Sequence, residues 1–170
     1  MEEVFKTIVG FKNYEVSNMG NVRNIQFNRP VNQRINVRGY QSVRLSNLNT
    51  CTTKQIHRLV AEMFLDNETN KKYVDHIDNN KLNNYLNNLR FATDKENAQN
   101  KSMSKNNTSG TKGVYQIKST KKWCAQITID YIHINLGHFE NKEDAIQARI
   151  IKANQAFGIY VHSSEKINEI

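Results

Sequence analysis

The chain has 170 residues, a net charge of +8 and a pI near 9.5, room for one ordinary domain or two to three small modules and a charge suited to a polyanionic partner. Its two cysteines, Cys51 and Cys124, stand far apart, which excludes a disulfide framework, argues against a Cys-ligated structural zinc and points to a reducing, intracellular setting. No stretch approaches the roughly 18 apolar residues of a membrane span, and the acidic opening MEEVFKTIVGF lacks a signal-peptide layout.

Charge is unevenly placed. Residues 1–57 carry eight Lys and Arg against three Asp and Glu, residues 58–100 six against seven, and residues 101–170 ten against six. Two basic arms flank a slightly acidic centre, a layout suited to steering nucleic acid toward a divalent metal.

Residues 1–55 read as short strands and turns, a β-rich module. Tyr14 to Ser17 alternates, Asn18-Met19-Gly20-Asn21 supplies turn residues, and Val22 to Ile25 resumes. From Gly39 to Leu45, Tyr40, Ser42 and Arg44 face one way and Gln41, Val43 and Leu45 the other. Arg23, Arg29, Arg34, Arg38 and Arg44 are spread through this segment as candidate phosphate contacts, because a planar guanidinium grips phosphate in a fork. Ordinary surface charge on a small solvated sheet is the plainer explanation of the same pattern.

Ile56 to Phe64 places Ile56, Leu59, Val60 and Phe64 on one helical face. His57 falls off that face and, with Arg58, is a second candidate for phosphate contact, though capping the packing is the plainer role for His57. After a polar loop, Tyr73-Val74 leads into Asp75-His76. An Asn-rich loop follows, then a strand from Leu89 to Ala92, then a Thr93-x-x-Glu96 capping box that starts a helix and sets Asn97 about one turn in. The asparagines between His76 and Asn88 read as turn-makers.

Residues 101–111 have a basic linker's composition. Beyond them, residues 112–157 predict three strands (113–117, 123–129 and 132–139) and an Ala-rich helix capped by Asn141 and running to about Phe157; residues 158–170 are a short tail. One helix covers one sheet face and leaves the other open. Candidates for a DNA-contacting surface here are Tyr115, Lys118, Lys122, Trp123, Gln126, Thr128, His133 and Asn135.

Hydrolysing a phosphodiester requires an activated nucleophile, neutralisation of phosphate charge and help for the leaving oxygen. Asp75 is the natural anionic metal ligand and Asn97 a neutral oxygen ligand. His76 is the natural general base, and Asn88 is placed to hold its ring or its carbonyl partner. One carboxylate and one amide oxygen suit a single Mg²⁺ or Mn²⁺ and disfavour zinc.

The run from Val74-Asp75-His76 through Asn88-Leu89-Arg90-Phe91-Ala92-Thr93 to Asn97 resembles the HNH, or ββα-metal, core of phage intron-encoded homing endonucleases. Ile56 to Ala61 resembles the element preceding that core. Residues 5–25, with Tyr14 to Asn18, Gly20 and Val22, resemble the small N-terminal module these enzymes carry. Gly113-Val114-Tyr115, Lys121 to Ile127, Leu136 to Phe139 and Glu143-Asp144-Ala145 are similar to the three-stranded DNA-binding domain of plant ethylene-response factors.

The resemblance implies an α+β chain with modules at 1–55, 56–100 and 112–157. It implies a metal-dependent, site-specific endonuclease acting on double-stranded DNA, in the host cytoplasm if phage- or virus-encoded; two binding arms around one site make a monomer with no obligate protein partner the expectation. It places the metal on Asp75 and Asn97, the base on His76 and the central amide on Asn88. Asn97 stands where the family name expects a third His, a replacement found in the branch that uses one metal and often nicks a single strand. The alternative is a non-catalytic DNA-binding regulator with a decayed core; RNA binding fits the charge but leaves the Asp-His…Asn…Asn set unexplained.

Overall fold

The computed structural model describes residues 2–47, 50–101, 103–104 and 106–167. The chain divides after Asp94 into two compact units.

The first unit opens with β1 (Phe5–Ile8), β2 (Phe11–Ser17), β3 (Val22–Asn24) and β4 (Arg29–Pro30), an antiparallel sheet in chain order. The β2–β3 turn is local chemistry. Ser17 Oγ accepts the amides of Met19 and Asn21 at 3.2 and 3.0 Å, and Gly20 takes a φ of +84°. Asn18 binds Val4 N through Oδ1 and Glu2 O through Nδ2, tying the start of the chain to this turn. A second antiparallel sheet holds β5 (Gln33–Ile35), β6 (Gln41–Asn47) and β7 (Thr50–Gln55). On β6, Val43 and Leu45 are buried and Arg44 is exposed, as the alternation predicts.

The helix α1 (Ile56–Phe64) buries Ile56, Leu59 and Val60 against both sheets. The same cluster takes in Ile8, Tyr14, Val16, Val22, Val43, Leu45 and Leu89, so one continuous core crosses the boundary expected at residue 55. Truncating Leu59 to Ala in such a core costs about 2–5 kcal/mol. The same helix contacts a two-stranded antiparallel ribbon of β8 (Tyr73–His76) and β9 (Leu89–Ala92). The short α2 (Asp94–Gln99) follows.

The second unit is a meander of β10 (Val114–Gln116), β11 (Trp123–Ile129) and β12 (Ile132–Phe139), packed on α3 (Lys142–Phe157). Small residues at the contact, Ala125, Ala145 and Ala153, are fully buried. Residues 158–167, expected as a tail, contribute to this core through Val161 and Glu165. Glu165, wholly buried, pairs with Arg149 at 3.1 Å, and its main-chain oxygen accepts from Asn154 at 2.6 Å. Burial pushes the Glu165 carboxyl above its ordinary pKa and the Arg149 guanidinium below its own. No helix among the described residues is long and apolar enough to cross a membrane.

Candidate active site

Antiparallel pairing of β8 with β9 sets Asp75 opposite Arg90 and His76 opposite Leu89. Arg90 donates through Nε and Nη2 to one carboxylate oxygen, Asp75 Oδ2, at 2.9 and 2.7 Å. Both groups are largely buried, so this cross-strand pair fixes the carboxylate in a medium that screens charge poorly.

His76 is buried beside it. Its Nε2 lies 3.2 Å from Asn84 Oδ1, and Asn84 Nδ2 in turn donates to Gln41 Oε1 at 2.5 Å. Burial lowers the His76 pKa below its ordinary value. The Asn84 bond and the charges of Asp78 and Asp75 oppose that shift, and Lys81 adds to it. The imidazole is therefore neutral at pH 7, the form able to take a proton.

Two further rings pack here. His57 stands 5.0 Å from the His76 ring and 4.9 Å from Tyr40, and Lys81 Nζ lies 4.6 Å from the Tyr40 ring centre. The expectation that His57 touches phosphate is corrected: it is 4% exposed, and burial, with lesser contributions from His76 and Arg58, lowers its pKa to about 3. A neutral, enclosed ring is packing for the His76 imidazole.

Asn88 also differs from expectation. Its Nδ2 donates to Asp78 Oδ1 at 2.9 Å and Asn83 O at 2.8 Å, its Oδ1 accepts from Asp78 N at 3.1 Å, and its main-chain oxygen accepts from Ile77 N. Asn88 closes the 310 turn Leu86–Asn88 at the foot of β9, where its side chain meets the loop after β8 and clamps it. The amide on the His76 ring belongs to Asn84, one of the residues read as turn-makers. Asn84, Gln41, Tyr40 and Arg90 were all missed. The six asparagines between His76 and Leu89 hide Asn84, and Gln41 is 43 residues away along the chain. A basic residue in the short apolar strand after an Asp-His pair was the one available signal for Arg90.

Asn97 is the fourth residue of α2, exposed and in the second unit. Among the described residues no three His, Cys, Asp or Glu side chains converge as a closed metal cage requires. A single buried carboxylate supplemented by amide oxygens is instead a donor set for a hard divalent ion that keeps much of its water, and the residues fit such an ion.

Arg23, Arg29, Arg34, Arg38 and Arg44 are exposed; Arg23 pairs with Glu15 at 2.7 Å and lies over the Phe5 ring. Arg58 is half-buried on α1. In the second unit, Val114, Ala125 and Ile127 face α3, so strand alternation turns Tyr115, Gln126 and Thr128 to the open face. His133 and Asn135 join them: His133 Nδ1 is 3.2 Å from Thr128 Oγ1, and Asn135 Oδ1 accepts from Cys124 Sγ. Lys118 is exposed, and Lys122 pairs with Glu140 at 2.6 Å. Trp123, expected among the DNA contacts, packs instead with Val114, Ala125 and Ala145 on the helix side, because it alternates with Cys124.

A strand pair presenting a buried Asp-His dipeptide, its carboxylate held by an arginine, is the arrangement a metal-assisted phosphodiesterase class of site uses. Comparison with known proteins agrees. Residues 3–46 match the NUMOD4 motif and residues 54–99 the HNH endonuclease model. The DNA endonuclease I-HmuI of Bacillus phage SP01 is 37% identical over 120 residues, 69% of this chain and 68% of that protein. A solved structure concerning DNA binding and cleavage by the HNH homing endonuclease I-HmuI superimposes with a TM-score of 0.53 at 39% identity, covering 59% of this chain and 57% of that one. Two uncharacterised HNH endonucleases of Acanthamoeba polyphaga mimivirus are 40% and 44% identical over 55% and 57% of this chain, but the matches span only 28% and 25% of their own lengths. The chain belongs to the HNH homing endonuclease family.

Proposed function

We propose that the chain is a site-specific, divalent-metal-dependent endonuclease acting on double-stranded DNA, working as a monomer and nicking one strand. The observation that carries this reading is the buried His76 imidazole, 3.2 Å from Asn84 Oδ1 and directly after the Arg90-held Asp75 carboxylate. His76 takes the proton of the attacking water. Asp75 and Asn97 hold a single Mg²⁺ or Mn²⁺, which when bound neutralises phosphate charge and assists the departing oxygen. Arg90 holds the Asp75 carboxylate in place, and Asn88 keeps the following loop closed. The exposed arginines of the first unit grip the backbone. The open sheet of the second unit, of the ethylene-response-factor type, reads bases through Tyr115, Gln126, Thr128, His133 and Asn135.

The test is incubation of the full chain with a randomised duplex library in Mg²⁺ or EDTA, followed by sequencing of ends on each strand. A defined site cut on one strand in Mg²⁺ alone is expected; binding without any metal-dependent ends would make the chain a regulator instead. His76→Ala should slow nicking by roughly 10²–10⁴-fold and leave DNA affinity intact. Asp75→Ala should raise the Mg²⁺ concentration needed for half-maximal nicking.

A further inference from the structure

We propose that Tyr131, with Ile132 beside it, is a wedge that the tip of the β11–β12 hairpin inserts between stacked bases of duplex DNA. The proposal rests on the reading of DNA as the partner and adds to it a group that opens the duplex rather than reads it. The ladder closes with Ile129 opposite Ile132, so Asp130 and Tyr131 are the whole loop. Both are left-handed, at φ +49° and +65°, the backbone of a two-residue turn whose twist matches that of the strands. Such a turn suits Asp at its first position and Gly at its second, because any side chain in that conformation crowds its own main chain. A tyrosine there is strained. Among the described residues, the other non-glycine positions at positive φ are Asn or Asp, apart from Lys121.

Packing does not offset that strain. Tyr131 is 84% exposed and Ile132 65% exposed, so the turn holds an aromatic and an aliphatic side chain out into water. The surroundings select the partner. Next along the ladder stands the Thr128–His133 pair, on the open face proposed to read bases. The carboxylate at the tip, Asp130, would repel phosphate, but it pairs with Lys95 Nζ at 2.8 Å, and the same ammonium lies 5.9 Å from the centre of the Tyr131 ring. An exposed ring beside a cation, at the end of a base-reading face, suits entry into a groove and into the stack. The ring replaces part of the stacking that an opened base step loses, and pyrimidine–purine steps open most readily.

The experiment selects duplexes bound by the full chain from a randomised library in EDTA, so that neither metal nor cutting enters. The fluorescent adenine analogue 2-aminopurine is then placed at successive positions of the selected site. Binding should brighten the analogue at one pyrimidine–purine step, where the stack is opened. Tyr131→Gly should raise the denaturant midpoint, because glycine relieves the left-handed strain, yet weaken binding by roughly 10–100-fold and abolish the brightening. A residue with a merely structural role would lower the midpoint when removed. Tyr131→Phe keeps the ring and should keep both affinity and brightening, while Tyr131→Asn, tolerated in this backbone, should repeat the loss without the freedom of glycine. Brightening that survives in Tyr131→Gly, or a bound duplex with no brightened position, overturns the inference. Undiminished affinity in Tyr131→Gly also overturns it and assigns the tip to a protein surface. A chain that retains no duplex removes the DNA reading and the inference together. A duplex bound and opened by a chain that cuts nothing in Mg²⁺ leaves the wedge standing and removes the endonuclease reading.

Discussion

His57 and His76 lie with ring centres 5.0 Å apart and planes tilted at 55°, and the burial of His57, with the neighbouring imidazole, disfavours a charge on it. For His57 the consequence is measurable. An unfolded chain protonates it near pH 6.5, whereas the folded protein resists protonation until about pH 3. Between these values the unfolded state holds more protons, so the contribution of this residue is complete above about pH 6.5 and drains away as pH falls toward 3. His57→Phe removes the titrating group while filling the space. Its unfolding free energy should therefore fall less than that of the parent between about pH 7 and pH 4, and parallel pH profiles would refute the assignment. At this scale the sequence was only partly legible. Asp75 and His76 stand out as an adjacent pair of reactive types, but the burial of His57 and the partner of His76 depend on residues brought in from β6 and from an undistinguished loop. Asn88 and Asn84 cannot be told apart without knowing which of them faces the ring.

Whole elements were far easier to read. The helix Ile56–Phe64 and the strands 89–92, 123–129 and 132–139 have the bounds their periodicity predicts, because each carries an apolar stripe that must be buried. What periodicity does not encode is irregularity. Between Ala125 and Gln126 the pairing shifts so that Leu136 has no partner across the ladder, and Ile134, Leu136 and Phe139 of β12 pack on the helix side despite the broken alternation. Nor does it encode the partner that lets Arg149 lie buried on α3, Glu165, sixteen residues on and 3.1 Å away. Gly113 shows how tight this unit is. It sits at φ +65°, and an added Cβ would come within 2.1 Å of Gln126 O, across the contact that pairs Gln126 N with Gly113 O. Gly110, at φ +78°, has nothing within 4 Å of the same position. Gly110→Ala should thus cost only the left-handed penalty of about 1–2 kcal/mol, while Gly113→Ala should cost clearly more and loosen β10 from β11. Equal losses in denaturant unfolding would show that the close approach does not matter.

At the scale of the molecule, basic surface is present on both units. If both engage DNA at once, affinity should fall steeply with salt, with a slope in log–log form that loses about 0.9 for each phosphate contact removed. Arg34→Gln with Arg38→Gln in the first unit, and Lys118→Gln with Lys122→Gln in the second, should each flatten that slope by roughly 2. A slope untouched by the second pair would confine binding to the first unit.

The continuous core of the first unit bears on how such chains are assembled over time. Val16 and Val22 belong to the stretch matched as NUMOD4, and Leu59, Val60 and Leu89 to the stretch matched as HNH, yet they share one cluster. Cut between β7 and α1, either half would present a wide oily face to water and would aggregate or unravel rather than travel alone. The heritable cassette is then everything up to the end of α2. Crossovers that shuffle specificity while sparing the cutting centre should fall beyond Gln99, and a designer swapping recognition domains would do well to join chains there.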